Sequence, residues 1–255
     1  PLTIQPDTIE MFFLLETGMI MLHAENAQDL YDMTLLSFDV SEQTSVHIFV
    51  GVFIDGFFVT HTRQKVKIVK EEVKLKPYDP SLSPMPTIDM ETPPFRYMRD
   101  PFVMKSNFIS YAAHASWQQE VMAAMHRSKK YLKKYLGSLI EQTNPDAKIQ
   151  IVASGTAVSQ SREAIRLLER EGIEAGLVKI KSIRPFPSEE IRAALQNAQK
   201  IIIPEFNRCG WLAKEVAATI DNNSRIVLGP RVYGGMTMPP EIIVEVIKNG
   251  TLIGV

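Results

Sequence analysis

Apolar and polar positions follow two different rhythms along this chain. In "AENAQDLYDMTLLSFDVSEQ" the residues Ala27, Leu30, Tyr31, Thr34, Leu35 and Phe38 recur at three- and four-residue steps, which predicts an amphipathic helix with that stripe as its apolar face. "VHIFVGVFI" is short, β-branched and aromatic, and predicts a buried strand; "TGMIML" ahead of the helix predicts another. Together they make a β-α-β unit, the building block of parallel sheets. Two strands and one helix cannot cover such a sheet on both faces. The region is therefore expected to be incomplete, either because the chain lacks its natural beginning or because a neighbouring chain completes the layer.

From residue 147 onward the alternation is regular. "KIQIVASG", "IEAGLVKIKSI", "KIIIPEF" and "RIVLG" predict strands. "AVSQSREAIRLLEREG" (closed by Gly172), "SEEIRAALQNA" (capped by Ser188, with Glu190 supporting the first turn), "GWLAKEVAATI" and "PPEIIVEVIKNG" predict helices. Strands alternating with helices of this size predict a parallel, doubly wound domain. Between the two regions, residues 77–101 hold seven of the chain's 16 prolines. Proline removes amide donors and fixes φ, so this stretch predicts an extended crossing segment. "ISYAAHASWQQEVMAAMHRSKKYLKKYLGSLIEQ" then predicts one long helix or two short ones, with Lys129, Lys130, Lys133 and Lys134 on a face that is either solvated, the favoured reading, or anion-binding.

Composition narrows the chemistry. The chain has 255 residues, 45% hydrophobic and 22% charged, with a formal net charge of −1. That balance gives no electrostatic reason to expect nucleic acid. No apolar run approaches a membrane span, and the first residues resemble no secretory signal, so cytoplasm is the expected location. The single cysteine, Cys209, cannot hold an iron–sulfur cluster, which normally needs four thiolates. His23, His47, His61, His114 and His126 are scattered without zinc spacing, and no metal site is expected on this chain.

Four stretches carry candidate chemistry. "ASGTAVSQSREA" (153–164) is a small-residue turn that opens a helix; it permits phosphate binding but matches neither nucleotide fingerprint, and a tight βα connection explains it as well. "IRPFPSEE" sets Arg184 at a strand-to-helix corner, where it can pair with an anion across an interface. "PEFNRCGWLAKEV" puts Glu205 and Asn207 just past a strand's C-terminal end, where open α/β sheets place ligands. In "FIDGFFVTHT", Asp55 and His61 are a candidate acid–base pair.

The order of "ETGMIMLHAENAQDLYDMTLLSF", "FVGVFIDGFFVTHT", the proline-rich crossing, "IVASGTAVSQSREAI", "VKIKSIRPFPSEEI" and "PEFNRCGWLAKEV" resembles the α subunit of the 2-oxoacid:ferredoxin oxidoreductases over essentially the whole chain. "DGFFVTHT" and "KSIRPFP" are the most specific pieces. The resemblance implies an α/β fold: part of a thiamine diphosphate pyrimidine-binding layer (1–62), the crossing segment (63–107), a helical connector (108–146) and a doubly wound transketolase C-terminal-like domain (147–255). It also implies oxidative decarboxylation of a 2-oxoacid by an enzyme of which this chain is one subunit, inactive alone.

Thiamine diphosphate would be shared with a β subunit that binds its diphosphate through Mg²⁺. Electrons would pass through iron–sulfur clusters on a ferredoxin-like subunit to ferredoxin; a γ subunit and coenzyme A belong to the same picture. The activating glutamate is expected upstream of Pro1, from a truncated or naturally split subunit. Glu16, Thr17, Gly18 and Asn26 are the residues expected to approach the cofactor cleft; Asp55, His61 and Arg184 are expected to act at interfaces or in positioning. Gly234-Gly235-Met236-Thr237 stands where many pyruvate-type relatives have a "GGRD"-like turn, and "MFFLL" precedes "ETG", so the 2-oxoacid stays open. A non-catalytic assembly or regulatory protein with the same fold is the alternative, and an isolated nucleotide-binding module a further one.

Overall fold

The computed structural model describes residues 6–68 and 107–250, with side chains from residue 118 in the second stretch. The proline-rich crossing therefore lies mostly outside the described residues.

The elements are α1 (Ile9–Phe13), β1 (Ile20–Ala24), α2 (Ala27–Ser41), β2 (Val50–Ile54), α3 (Asn107–Leu136), β3 (Ile140–Thr143), β4 (Ile149–Ala153), α4 (Thr156–Arg170), β5 (Ala175–Ile180), β6 (Ser182–Arg184), α5 (Ser188–Leu195), β7 (Lys200–Glu205), α6 (Trp211–Thr219), β8 (Ile226–Arg231) and α7 (Pro240–Asn249). The strands form two sheets, β2-β1-β6 and β3-β5-β4-β7-β8. In the larger sheet β5, β4, β7 and β8 are parallel and β3 runs antiparallel along the edge of β5.

Alternation along the central strands sorts side chains to the two faces. Val152, Ile201 and Ile203 join α5 and α6 in one core; Ile151, Ala153 and Ile202 join α4 and α7 in the other. Strands buried on both faces read as continuous apolar runs, which is why "KIIIPEF" and "KIQIVASG" were legible as strands.

The small sheet obeys the same rule. Ile20, Leu22 and Ala24 of β1 pack with Met33, Leu36 and Val40 of α2 and with Leu132 of α3. Met21 points the other way, into the core shared with α5 and α6. β1 and β2 pair in parallel, as the β-α-β pattern predicts.

Four expectations change. α2 buries Met33, Leu36 and Val40, whereas Thr34 and Phe38 of the predicted stripe are exposed. Both stripes are helical in period, and the sheet selects the one whose side chains reach β1. Residues 137–143 leave the helix: Gly137 adopts φ 70°, and Ile140–Thr143 pairs with β5, because an edge partner satisfies backbone groups that a helix end leaves open. Ser188 does not cap α5; Pro187 holds that position, with no side-chain cap bond. The strand predicted in "IEAGLVKIKSI" divides at Lys181, and its second part, β6, crosses to the small sheet and pairs antiparallel with β1. That crossing strand gives the β-α-β unit its third strand.

Candidate functional site

Parallel strands deliver side chains at their C-terminal ends. Here the ends of β1 and β2 in the small sheet face the end of β4 in the large one. His23 lies on β1, with its side chain on the opposite face from Leu22. Its Nδ1 is 3.1 Å from Ser154 Oγ and its Nε2 is 3.4 Å from Asp55 Oδ1. Asp55, the first residue after β2, accepts a 2.5 Å hydrogen bond from the Thr156 amide at the start of α4. His23 and Asp55 are both buried.

Gly155, between Ser154 and Thr156, has φ 57° and ψ −146°, a conformation essentially restricted to glycine. A Cβ there would lie 2.2 Å from His23 Cε1 and 2.6 Å from Asp55 Oδ2. The glycine thus permits the contact between the two sheets. Burial pushes the Asp55 carboxyl up, but attraction and hydrogen bonding to His23 and the Thr156 amide outweigh it and hold it below its ordinary value.

A helix N-terminus favours an anion, and at α4 that anion is the Asp55 carboxylate of the same chain. The Ser154–His23–Asp55 order also has the spacing of a nucleophile, base and orienting acid. The crevice beside it, lined by Thr8, Phe12, His23, Ser154, Glu205 and Trp211 among others, holds only about 10 Å³, room for one water and not for a substrate. The constellation locks one sheet to the other.

A second cluster flanks it. Glu25, directly after β1, lies 2.8 Å from Lys179 Nζ and 3.1 Å from Arg162 Nε, and accepts from Ser159 Oγ at 2.9 Å. Lys179 also reaches Asp29 at 2.7 Å, and Arg162 reaches Glu141 at 2.7 Å. Burial raises the Glu25 carboxyl, yet the hydrogen bonds and charges of Arg162 and Lys179 bring it below its ordinary value. Burial alone would lower Lys179, but Asp29 and Glu25 raise it. Buried charges persist where they are paired and hydrogen-bonded.

The residues singled out in the sequence have separate environments. Glu16 has a side chain 94% exposed, 3.8 Å from Arg184. Thr17 donates to the Leu14 carbonyl. Gly18, at φ 82°, sits where a Cβ would meet Val121 Cγ1 at 2.5 Å. Asn26 caps α2 by accepting from the Asp29 amide at 2.9 Å. Arg184 pairs with Glu215 at 3.1 Å and lies over the Trp211 ring.

Asp55 and His61 do not meet. The partner of Asp55 is His23, and His61 stays exposed, 2.9 Å from Thr60 Oγ1 and stacked near Phe57. Glu205 accepts from Asn207 and from the Leu212 and Ala213 amides, so it caps α6. Burial raises its carboxyl above the usual value, and those hydrogen bonds and Arg231 offset only part of that. Cys209 is exposed and unpaired. Lys133 pairs with Glu190, and Lys130 and Lys134 lie over the tyrosines that follow them.

His23, Glu25, Arg162 and Lys179 were missed. The signal available was a charged lysine inside the otherwise apolar strand "GLVKI" and a carboxylate directly after "IMLHA", each needing a buried partner.

Comparison with known proteins agrees with this architecture. Residues 1–128 match the family model described as pyruvate flavodoxin/ferredoxin oxidoreductase, thiamine diphosphate-binding, and residues 147–243 match that of pyruvate:ferredoxin oxidoreductase core domain II. Pyruvate synthase subunit PorA of Methanothermobacter thermautotrophicus is 30% identical, over 98% of this chain and 66% of its own length. Ketoisovalerate oxidoreductase subunit VorA of Pyrococcus abyssi is 23% identical, over 88% of this chain and 58% of its own. The chain spans 66%, 59% and 68% of the lengths of three PorA relatives. A 2-oxoglutarate:ferredoxin oxidoreductase from Magnetococcus marinus, solved with 2-oxoglutarate, coenzyme A and succinyl-CoA bound, shares the fold at a TM-score of 0.62 and 19% identity, covering 96% of this chain and 45% of that one. The match to the thiamine diphosphate-binding model extends over half of the sequence, and the chain belongs to the pyruvate flavodoxin/ferredoxin oxidoreductase family.

Proposed function

We propose that this chain works as, or within, the α subunit of a thiamine diphosphate-dependent 2-oxoacid:ferredoxin oxidoreductase. The observation that carries the proposal is the 30% identity to a pyruvate synthase subunit over 98% of the chain. The reaction is oxidative decarboxylation of a 2-oxoacid, with electrons leaving through iron–sulfur clusters on partner chains. Relatives named for pyruvate and for ketoisovalerate keep the substrate at the level of the 2-oxoacid class.

The described residues do not by themselves fit thiamine diphosphate. The crevice at His23 is too small. The larger groove, about 480 Å³, is walled by Asp29, Asp32, Asp39 and Glu141 against the single lining cation Lys181, a balance that disfavours a diphosphate. Glu25 and Glu205 are committed to buried partners. Among the described residues, no group of three or more His, Cys, Asp or Glu is arranged to hold a metal.

The proposed division of labour follows. This chain contributes one wall of a cofactor cleft, and a β subunit contributes the Mg²⁺-diphosphate anchor. Glu16, Thr17 and Gly18, in the loop that enters β1, are the proposed contacts of this chain with the cleft, and Asn26 shapes it by fixing the start of α2. Asp55 positions the wall through His23, and Arg184 holds the β6 corner. No helix among the described residues is long and apolar enough to cross a membrane, and a cytoplasmic location is proposed with the complex.

The test is anaerobic isolation of the native assembly, followed by dye reduction with pyruvate, 2-oxoglutarate and branched-chain 2-oxoacids. Activity that co-elutes with this chain, falls on removing thiamine diphosphate and returns on adding it is the expected result. A chain that elutes alone, without iron and without dye reduction, overturns the proposal.

A further inference from the structure

Between α2, the end of α3 and β3 runs a groove of about 480 Å³. Its apolar lining is Leu35 and Leu136, both half-buried, over a floor of Met33 and Leu36, which are buried in the core against β1. A concave apolar floor with charged groups at its rim can seat a side chain.

The rim is acidic, and its charges are not equally balanced. Asp29 and Glu141 are met from behind by Lys179 and Arg162. Asp32 accepts only from the neutral Gln28 amide at 3.0 Å, and Asp39 accepts from the Tyr135 hydroxyl. Lys134, the neighbouring cation, donates to Tyr135 and not to Asp39 itself. Lys181, the ammonium within the groove, donates to the Leu136 carbonyl at 2.9 Å. Asp32 and Asp39 therefore make no direct ion pair among the described residues, although Lys134 lies near enough to attract Asp39. They stand seven residues apart on one helix, about 10 Å at 1.5 Å per residue.

We propose that this groove seats a basic amphipathic segment of a partner polypeptide, with two cationic side chains about 10 Å apart on Asp32 and Asp39 and an apolar side chain between them on Leu35 and Leu36. A helix with lysine or arginine at positions i and i+7 has that spacing. A small polyamine would satisfy the carboxylates but leave the apolar floor wet. An anionic ligand is opposed by the rim. The inference does not depend on the redox chemistry proposed above.

The test uses the full chain and a fluorescein-labelled 18-residue helical peptide with lysines at i and i+7 and leucines between them. Fluorescence anisotropy should show saturable binding that weakens at least tenfold in Asp32→Asn/Asp39→Asn, and again on raising salt from 0.05 to 0.5 M (roughly a threefold fall in Debye length). Leu35→Trp, which fills the groove without changing charge, should weaken it comparably. Circular dichroism checks that each variant keeps the fold. The proposal is overturned if the wild-type chain does not bind the peptide, or if the variants bind as the wild type does. It is equally overturned if a peptide with its lysines moved to i and i+4 binds as well, or if spermidine competes at equal concentration.

Discussion

Replacing Asp55 by alanine removes the acceptor that joins the two sheets. The Thr156 amide loses its 2.5 Å partner and His23 loses its 3.4 Å partner, both in a buried setting. A buried donor left unsatisfied costs about 1–3 kcal/mol, so two should cost roughly 2–6 kcal/mol, less whatever a water in the new space recovers. With a urea dependence of about 2 kcal/mol/M, the middle of the usual range, that lowers the unfolding midpoint by roughly 1–3 M.

Asp55→Asn separates geometry from charge. Its carbonyl can still accept from Thr156, and its amide can donate to His23 Nε2 if the imidazole proton sits on Nδ1 and is donated to Ser154 Oγ. The expected loss is then about 1 kcal/mol, the difference between a charge-assisted and a neutral pair of bonds. The pH profile gives a further check. The folded Asp55 carboxyl is depressed, so its contribution is complete above the unfolded value of about 3.9 and is lost as pH falls through the folded value. The asparagine variant should lack that part of the acid loss. Urea unfolding followed by tryptophan fluorescence, from pH 3 to pH 7, measures all of this. If Asp55→Ala lies within about 0.5 kcal/mol of wild type, a typical neutral surface change, the assignment fails. It fails also if asparagine is as damaging as alanine.

Gly155→Ala should cost well over the ~1–2 kcal/mol of a left-handed backbone alone, because its Cβ also meets His23 and Asp55, whereas Gly137→Ala, with nothing within 4 Å, should show only that backbone cost in the same urea assay. Lys179→Met leaves Glu25 and Asp29 facing each other with Arg162 as the remaining cation on Glu25, and should destabilise by about 3–5 kcal/mol; adding Glu25→Gln should recover part of the loss in a double-mutant cycle. Glu205 has the opposite pH sign to Asp55. Its folded carboxyl is raised, so the stability it adds is full below about pH 4.3 and declines as pH rises through the folded value, and Glu205→Gln should flatten that decline in unfolding midpoints measured between pH 4 and pH 7.

The order of strands and helices after residue 147 was legible because each element carries its own period. A strand buried on two faces must be apolar throughout, and a helix on one face must repeat every three to four residues. The family resemblance was legible for the same reason: "DGFFVTHT", "ASGTAVS" and "KSIRPFP" are local strings. Local pattern does not say which of two stripes on α2 a sheet will select, nor that "KIKSI" divides so that β6 joins β1, because those choices depend on what arrives from elsewhere in the chain. The same holds for the site. Asp55 was singled out from the sequence, but the nearest histidine in the string, His61, is not its partner; His23, 32 residues away, is brought to it by the parallel register of β1 and β2. Glu25 and Lys179 are 154 positions apart and meet only when the two sheets close. Sequence determined the elements, through periodicity that each segment carries alone; tertiary structure decided the pairings, because hydrogen bonds and ion pairs form between surfaces that no single segment contains.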